Sequence, residues 1–126
     1  MSKSITETPR APKSIGPYSQ AVGTGMMLFI SGQIPLDPAT GMIVPGGVGE
    51  QMKQVIANLR AVLEDSGYTT ADIVKTTIFL YDIKDFDIVN KMYAEMFTGQ
   101  YPARSCIGGL HLPKGALVEI EAIAVK

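Results

Sequence analysis

The fold this sequence predicts is a single α+β domain with two helices on one face of a sheet. Three observations lead there. Apolar residues recur at helical spacing in two segments, 48–63 and 84–97; strand-like segments stand before, between and after them; and no linker, repeat or low-complexity tract divides the 126 residues. The resulting order, β-β-(β)-α-β-α-β-β, fits a layer of helices over a sheet. A chain of this length forms one domain, 1–126, large enough to remove roughly 65–70% of its unfolded surface from water.

The elements follow in order. Residues 1–17 are polar and proline-punctuated and read as a loosely held N-terminal arm. Tyr18 to Val22 and Met27 to Gln33 read as two strands around Gly23-Thr24-Gly25, a hairpin signal. Pro35 to Gly47 is turn-rich, with a short third strand suggested at Met42-Ile43-Val44. Val48, Met52, Val55, Ile56, Leu59, Val62 and Leu63 then form one helical stripe, which Ser66-Gly67 ends. Ile73 to Tyr81 is rich in Ile, Val, Thr and Phe and reads as a strand. Helix two is expected from about Lys84 to Phe97, with Phe86, Val89, Met92, Tyr93, Met96 and Phe97 inward and Asp82 or Asp85 near its cap. Ala103 to Gly109 and Leu117 to Val125 read as a closing hairpin.

The last strand is apolar on both sides. Val118, Ile120, Ala122 and Ala124 make one face, while Leu117, Ile123 and Val125 flank Glu119 and Glu121 on the other. Helices cover one face only, so the second is expected to bury against further copies of the chain, with sites near the subunit boundaries.

Composition narrows the function classes. With 11 basic and 12 acidic residues and no basic stripe, nucleic acid is not an expected partner. A lone cysteine cannot form an internal disulfide, which suggests a reducing compartment. The longest apolar run, Met26 to Ile30, is too short to span a bilayer, and residues 1–17 hold no signal-peptide core; a cytoplasmic location away from membranes is expected.

The chemistry concentrates late in the chain. Arg104 is the only formally charged residue between Glu95 and Lys114, and it heads an apolar strand. A guanidinium there needs compensation, because an unpaired buried charge is too costly to keep. Arg104 and Cys106 share one strand face, as do Glu119 and Glu121. A hairpin register opposing Cys106 to Glu119 would gather all four on one surface. Such an Arg can hold a substrate carboxylate through two parallel hydrogen bonds, and a nearby carboxylate can serve as base for water. A structural Arg–Glu pair at a subunit interface fits the same pattern, and spacing alone favours it.

Other candidates carry less. Cys106 as nucleophile needs a base, and the only histidine, His111, would face the opposite way; a small thiol lining a pocket fits better. The chain is too poor in His and Cys for a metal site, and no cofactor is expected. Gly46-Gly47-Val48-Gly49 lacks the Lys and Ser/Thr of a phosphate loop and reads as a turn. Tyr68, Tyr81 and Tyr93 are assigned to packing.

Six blocks are familiar together: Ile15-Gly16-Pro17-Tyr18-Ser19-Gln20-Ala21, Ser31-Gly32-Gln33-Ile34-Pro35, Val74-Lys75-Thr76-Thr77, Val89-Asn90-Lys91-Met92-Tyr93, Pro102-Ala103-Arg104-Ser105-Cys106 and Val118-Glu119-Ile120-Glu121-Ala122. In order and spacing they resemble the RidA/YjgF family over nearly the whole chain. The resemblance implies a chorismate-mutase-like fold with a mixed sheet, assembled as a homotrimeric barrel with three clefts between subunits. It also implies cofactor-free hydrolysis of 2-imino acids, such as 2-iminopropanoate and 2-iminobutanoate, to 2-oxo acids and ammonia. By that resemblance Arg104 is the carboxylate clamp and Glu119 activates the water. Cys106 and Ser105 line the pocket, Tyr18, Ser31 and Gly32 form its wall, and Phe86 and Asn90 lie behind it.

A rival reading uses the same clefts without catalysis, as a ligand-sensing or protein-binding regulator, or in a translation-inhibiting ribonuclease-type member. Two departures from the family pattern bear on substrate size and packing. Gly108 and Gly109 replace larger residues, which is expected to leave room beside the strand, and the segment before Arg104 is short.

Overall fold

The computed structural model describes residues 2–126. Six strands form one sheet: β1 (Lys3–Thr6), β2 (Ala21–Thr24), β3 (Met27–Gln33), β4 (Ile73–Leu80), β5 (Ala103–Ile107) and β6 (Val118–Val125), in the spatial order β1-β2-β3-β6-β4-β5. All neighbours are antiparallel except β4 and β5, which run parallel. Two helices, α1 (Val48–Asp65) and α2 (Phe86–Ala94), pack on one face of this mixed sheet, as expected.

Helix α1 forms where the apolar stripe predicts it and seats Met52, Val55, Leu59 and Val62 against Leu28, Ile30, Val118 and Ile120. Its end is local chemistry. Gly67 takes φ 83, and the amides of Gly67 and Tyr68 return to the carbonyls of Glu64 and Leu63 at 3.0 and 2.8 Å. Helix α2 is shorter than the periodicity suggests. A 3-10 turn, Ile83–Asp85, precedes it, with Asp82 accepting the Lys84 amide at 2.9 Å, and Met96 and Phe97 reach the core from the turn beyond it.

Three sequence expectations differ. The β2–β3 turn is Gly25-Met26, because Gly23 and Thr24 pair with Leu28 and Met27. Where a third strand was read at 42–44, only the bridge Leu36–Ile43 forms, and the extra strand is instead β1. That strand lies within the segment read as a loose arm. Beyond β1, the buried Gln20 carboxamide accepts the Thr8 amide at 2.7 Å and donates to the carbonyls of Thr8 and Pro12 at 3.0 and 2.8 Å. Arg10 adds contacts to Glu64 and Asp65 on α1, at 2.6 and 2.9 Å.

The third difference matters most. The closing hairpin does not exist. β6 enters between β3 and β4, while β5 joins the far side of β4 through the α2 crossover, the connection that parallel strands require. Residues Val118, Ile120, Ala122 and Ala124 are buried beneath the helices. On the other face Phe29 and Met27 remain 40% and 38% exposed beside Glu121 and Ile123, with no helix over them. Among the described residues no helix is long and apolar enough to cross a membrane.

Candidate active site

The strand register divides the candidate residues. Arg104 pairs with Thr76, and Thr76 also pairs with Ala122, so these three share the helix-covered face. Glu121 pairs with Thr77, and Thr77 with Ser105, which puts the glutamates and Ser105 on the open face. The four-residue surface expected from a hairpin therefore does not form. Within one chain Arg104 and Cys106 look one way, Glu119 and Glu121 the other.

Glu119 sits in a cavity of about 580 Å³ whose wall includes Tyr18, Ser31, Gly32, Lys114 and Glu121. A β-bulge builds it. Between the pairs Ile30–Ala122 and Gln33–Ile120, β3 spends two residues, Ser31 and Gly32, against the single Glu121 of β6. The bulge frees Ser31 from the ladder. Its amide bonds the Gln20 carbonyl at 2.9 Å and its hydroxyl the Ser19 carbonyl at 2.6 Å. Gly32 is required for space, since a Cβ there would run into the Glu119 carboxylate. Half-burial pushes the Glu119 carboxyl above its usual range, and the charge of Glu121 adds to the rise. Tyr18, about half exposed, lies at the mouth, its hydroxyl accepting the Ile15 amide at 3.4 Å.

Arg104 faces a second cavity, about 500 Å³, formed with Asn90, Tyr93, Ala94, Tyr101 and Pro102. Its Nη1 donates to Asn90 Oδ1 at 2.6 Å, and its Cζ lies 5.5 Å from the Phe86 ring centroid and 5.1 Å from that of Tyr93. Among the described residues it forms no ion pair. The interfacial Arg–Glu bridge that spacing alone favoured is therefore not made within the chain. Phe86 and Asn90 stand behind Arg104 rather than behind the glutamate cavity.

Cys106 stays a thiol here. Burial raises its pKa more than the Arg104 charge lowers it, and His111 packs edge-on to Tyr81 at 5.8 Å. Ser105 accepts from Lys75 Nζ at 3.1 Å on the open face. Among the described residues no three His, Cys, Asp or Glu side chains gather as a metal site. Gly108 leaves no room beside the strand: a Cβ there would stand 2.7 Å from that of Ile83, whose side chain occupies the space.

Sequence reading missed Tyr93 at the Arg104 cavity and Lys13 and Lys114 at the Glu119 cavity. Tyr93 was legible in principle, three residues after Asn90 and seven after Phe86 on one helix face. The lysines were not, because they come from separate loops.

The descriptive match to known proteins is extensive. The family model for endoribonuclease L-PSP matches residues 8–126. A RutC family protein of Pyrococcus horikoshii is 50% identical over 124 residues, 98% of each chain. A bovine protein named 2-iminobutanoate/2-iminopropanoate deaminase is 47% identical over 98% of this chain and 90% of its own. The crystal structure of a conserved Rid family protein from Yersinia pestis superposes with a TM-score of 0.96 at 49% identity, covering 99% of this chain and 100% of that one.

Proposed function

The chain belongs to the RidA/YjgF family, and from that premise we propose that it is a deaminase hydrolysing reactive 2-imino acids to 2-oxo acids and ammonia, at clefts between copies of itself. One observation carries the reading. The Arg104 group and the Glu119 group each line a cavity, on opposite faces of one sheet, and neither is a complete site alone. A second copy that sets its β5 edge against the open face of the first joins them. It also covers Phe29 and Met27. A homotrimer with three such clefts meets both requirements.

In that cleft the free donors of Arg104 hold the substrate carboxylate in a planar fork. The imine carbon is thereby fixed toward a water beside Glu119, which removes orientational entropy from the barrier. Glu119 takes a proton from the water as the water oxygen bonds to the carbon of the protonated imine, whose C=N π pair moves onto nitrogen. The resulting aminol collapses when Glu119 returns its proton to nitrogen: the C–N bond breaks as the hydroxyl proton passes back to Glu119 and C=O forms, and the departing ammonia carries that proton away as ammonium. The raised Glu119 pKa suits this exchange, since it makes the carboxylate a stronger base toward the water. Ser105 and Cys106 flank the clamp, with Tyr18, Ser31 and Gly32 walling the glutamate side.

The family description favours a second reading, ribonuclease activity in the same clefts. A chain with 11 basic and 12 acidic residues offers little phosphate neutralisation, which supports the deaminase instead. The test is a coupled assay in which a PLP-dependent dehydratase generates 2-iminobutanoate and 2-oxo acid release is timed with and without this protein. Acceleration is expected. Unchanged release, with RNA cleaved by the same preparation, would overturn the proposal.

A further inference from the structure

We propose that Tyr93 is a positioning residue for Arg104: its ring, tethered through Thr76, fixes the guanidinium plane and leaves the charge unneutralised for an incoming carboxylate. The inference rests on the reading of Arg104 as a carboxylate clamp.

An exposed arginine on an edge strand ordinarily samples many rotamers. Arg104 is restrained instead by three neighbours, none of them anionic. Asn90 Oδ1 takes one N–H at 2.6 Å, and the Phe86 and Tyr93 rings stand 5.5 and 5.1 Å from Cζ. A carboxylate partner would also order the side chain, but it would occupy the fork and cancel its charge. Aromatic faces attract a guanidinium while leaving its edge donors free.

Tyr93 is itself immobilised. It is 4% exposed, packs on Phe97 at a ring distance of 5.1 Å, and shares a 2.6 Å hydrogen bond with Thr76 Oγ1. Thr76 is the residue that β4 pairs with Arg104 in the parallel ladder. The strand register that sets Arg104 therefore also sets the anchor of the ring beside it, closing a three-residue unit. Burial keeps the phenol protonated against the lowering pull of Thr76 and Arg104, so Tyr93 is a neutral wall and not a counter-ion.

Full-length protein with Tyr93→Leu and Tyr93→Phe tests this. Two readouts serve: the Arg104 Nε–H resonance, which adjacent rings displace, and calorimetric affinity for 2-oxobutanoate. Tyr93→Leu is expected to move the resonance toward its random-coil position and to weaken binding about 10-fold. In the coupled assay it raises KM more than it lowers kcat. Tyr93→Phe keeps the ring but loses its hydrogen bond to Thr76, so affinity is expected to stay within about 3-fold of wild type while the resonance moves less than in Tyr93→Leu. Should the leucine variant not fold, Thr76→Val, which cuts the tether alone, is expected to displace the same resonance. Wild-type resonance and affinity in Tyr93→Leu, equal losses in Leu and Phe variants, or an unmoved resonance in Thr76→Val would each overturn the inference. A wild-type protein with the ring-shifted resonance but no imine turnover would leave the inference standing and remove the deaminase reading.

Discussion

Replacing Gly32 with Ala isolates the placement of the Glu119 carboxylate from everything else in the fold. Gly32 does not have positive φ, so alanine meets no backbone strain there. The added Cβ would stand 2.9 Å from Glu119 Cδ and closer still to Oε2. Ordinary carbon contacts begin near 3.5 Å, so the carboxylate must retreat by roughly 0.6 Å or more. The group that yields is the end of a flexible side chain, so stability should change little; reduced chain entropy in the unfolded state even favours alanine slightly. Positioning is where the effect falls. A misplacement approaching 1 Å costs on the order of 100-fold in turnover. The coupled imine assay should therefore show kcat down by about that factor with Tm nearly unchanged. In a Glu119→Gln background the same substitution should add almost nothing, because the two changes act on one group. Wild-type turnover in Gly32→Ala, or full additivity with Glu119→Gln, would refute the argument.

Five further outcomes are expected. Arg104→Ala should reduce deamination to near background, and Arg104→Lys should be nearly as poor because an ammonium cannot reproduce the planar fork; 2-oxo acid binding measured calorimetrically checks both. Glu119→Gln should lower turnover about 100-fold while ligand binding persists, whereas Glu121→Gln should leave chemistry largely intact and weaken the acid-side shift of the pH–rate profile. Since the folded-state pKa of Glu119 is raised, its contribution to stability is present below the unfolded value and lost as pH rises through the folded one. Thermal melts should accordingly find Glu119→Gln relatively more stable than wild type at neutral pH than at pH 4. Gly108→Ala should destabilise by about 1–3 kcal/mol in denaturant titration, since its Cβ overlaps Ile83. Light scattering should give a species near 40 kDa from chains of 13.5 kDa, and a stable monomer would remove the shared cleft.

What the sequence carried was the local part. The α1 stripe, its Ser66-Gly67 stop and the alternation in β6 depend on neighbours in the chain, and each has its physical cause within a few residues. Sheet order depends on distant partners. The antiparallel default for β5 and β6 failed because residues 108–117 separate them and α2 forms a crossover between β4 and β5. That one error put Arg104 on the wrong face relative to Glu119. The bulge at Ser31-Gly32 was equally invisible, since it is defined by what β6 leaves unmatched. Gly108 was misread for the same reason: the residue filling its space, Ile83, comes from another element.

The central place of β6 has a consequence for synthesis. Residues 118–125 are the last strand in chain order, yet they join β3 to β4. A nascent chain that has not delivered them holds two unconnected ribbons, β1-β2-β3 and β4-β5, each with an open inner edge. The sheet cannot close until residues 118–125 have been made and inserted, through contacts that span most of the sequence. Until then the exposed edges beside Ile30 and Ile78 are available to neighbouring chains, so the interval between translation and insertion of β6 is the period in which this protein most needs protection from aggregation.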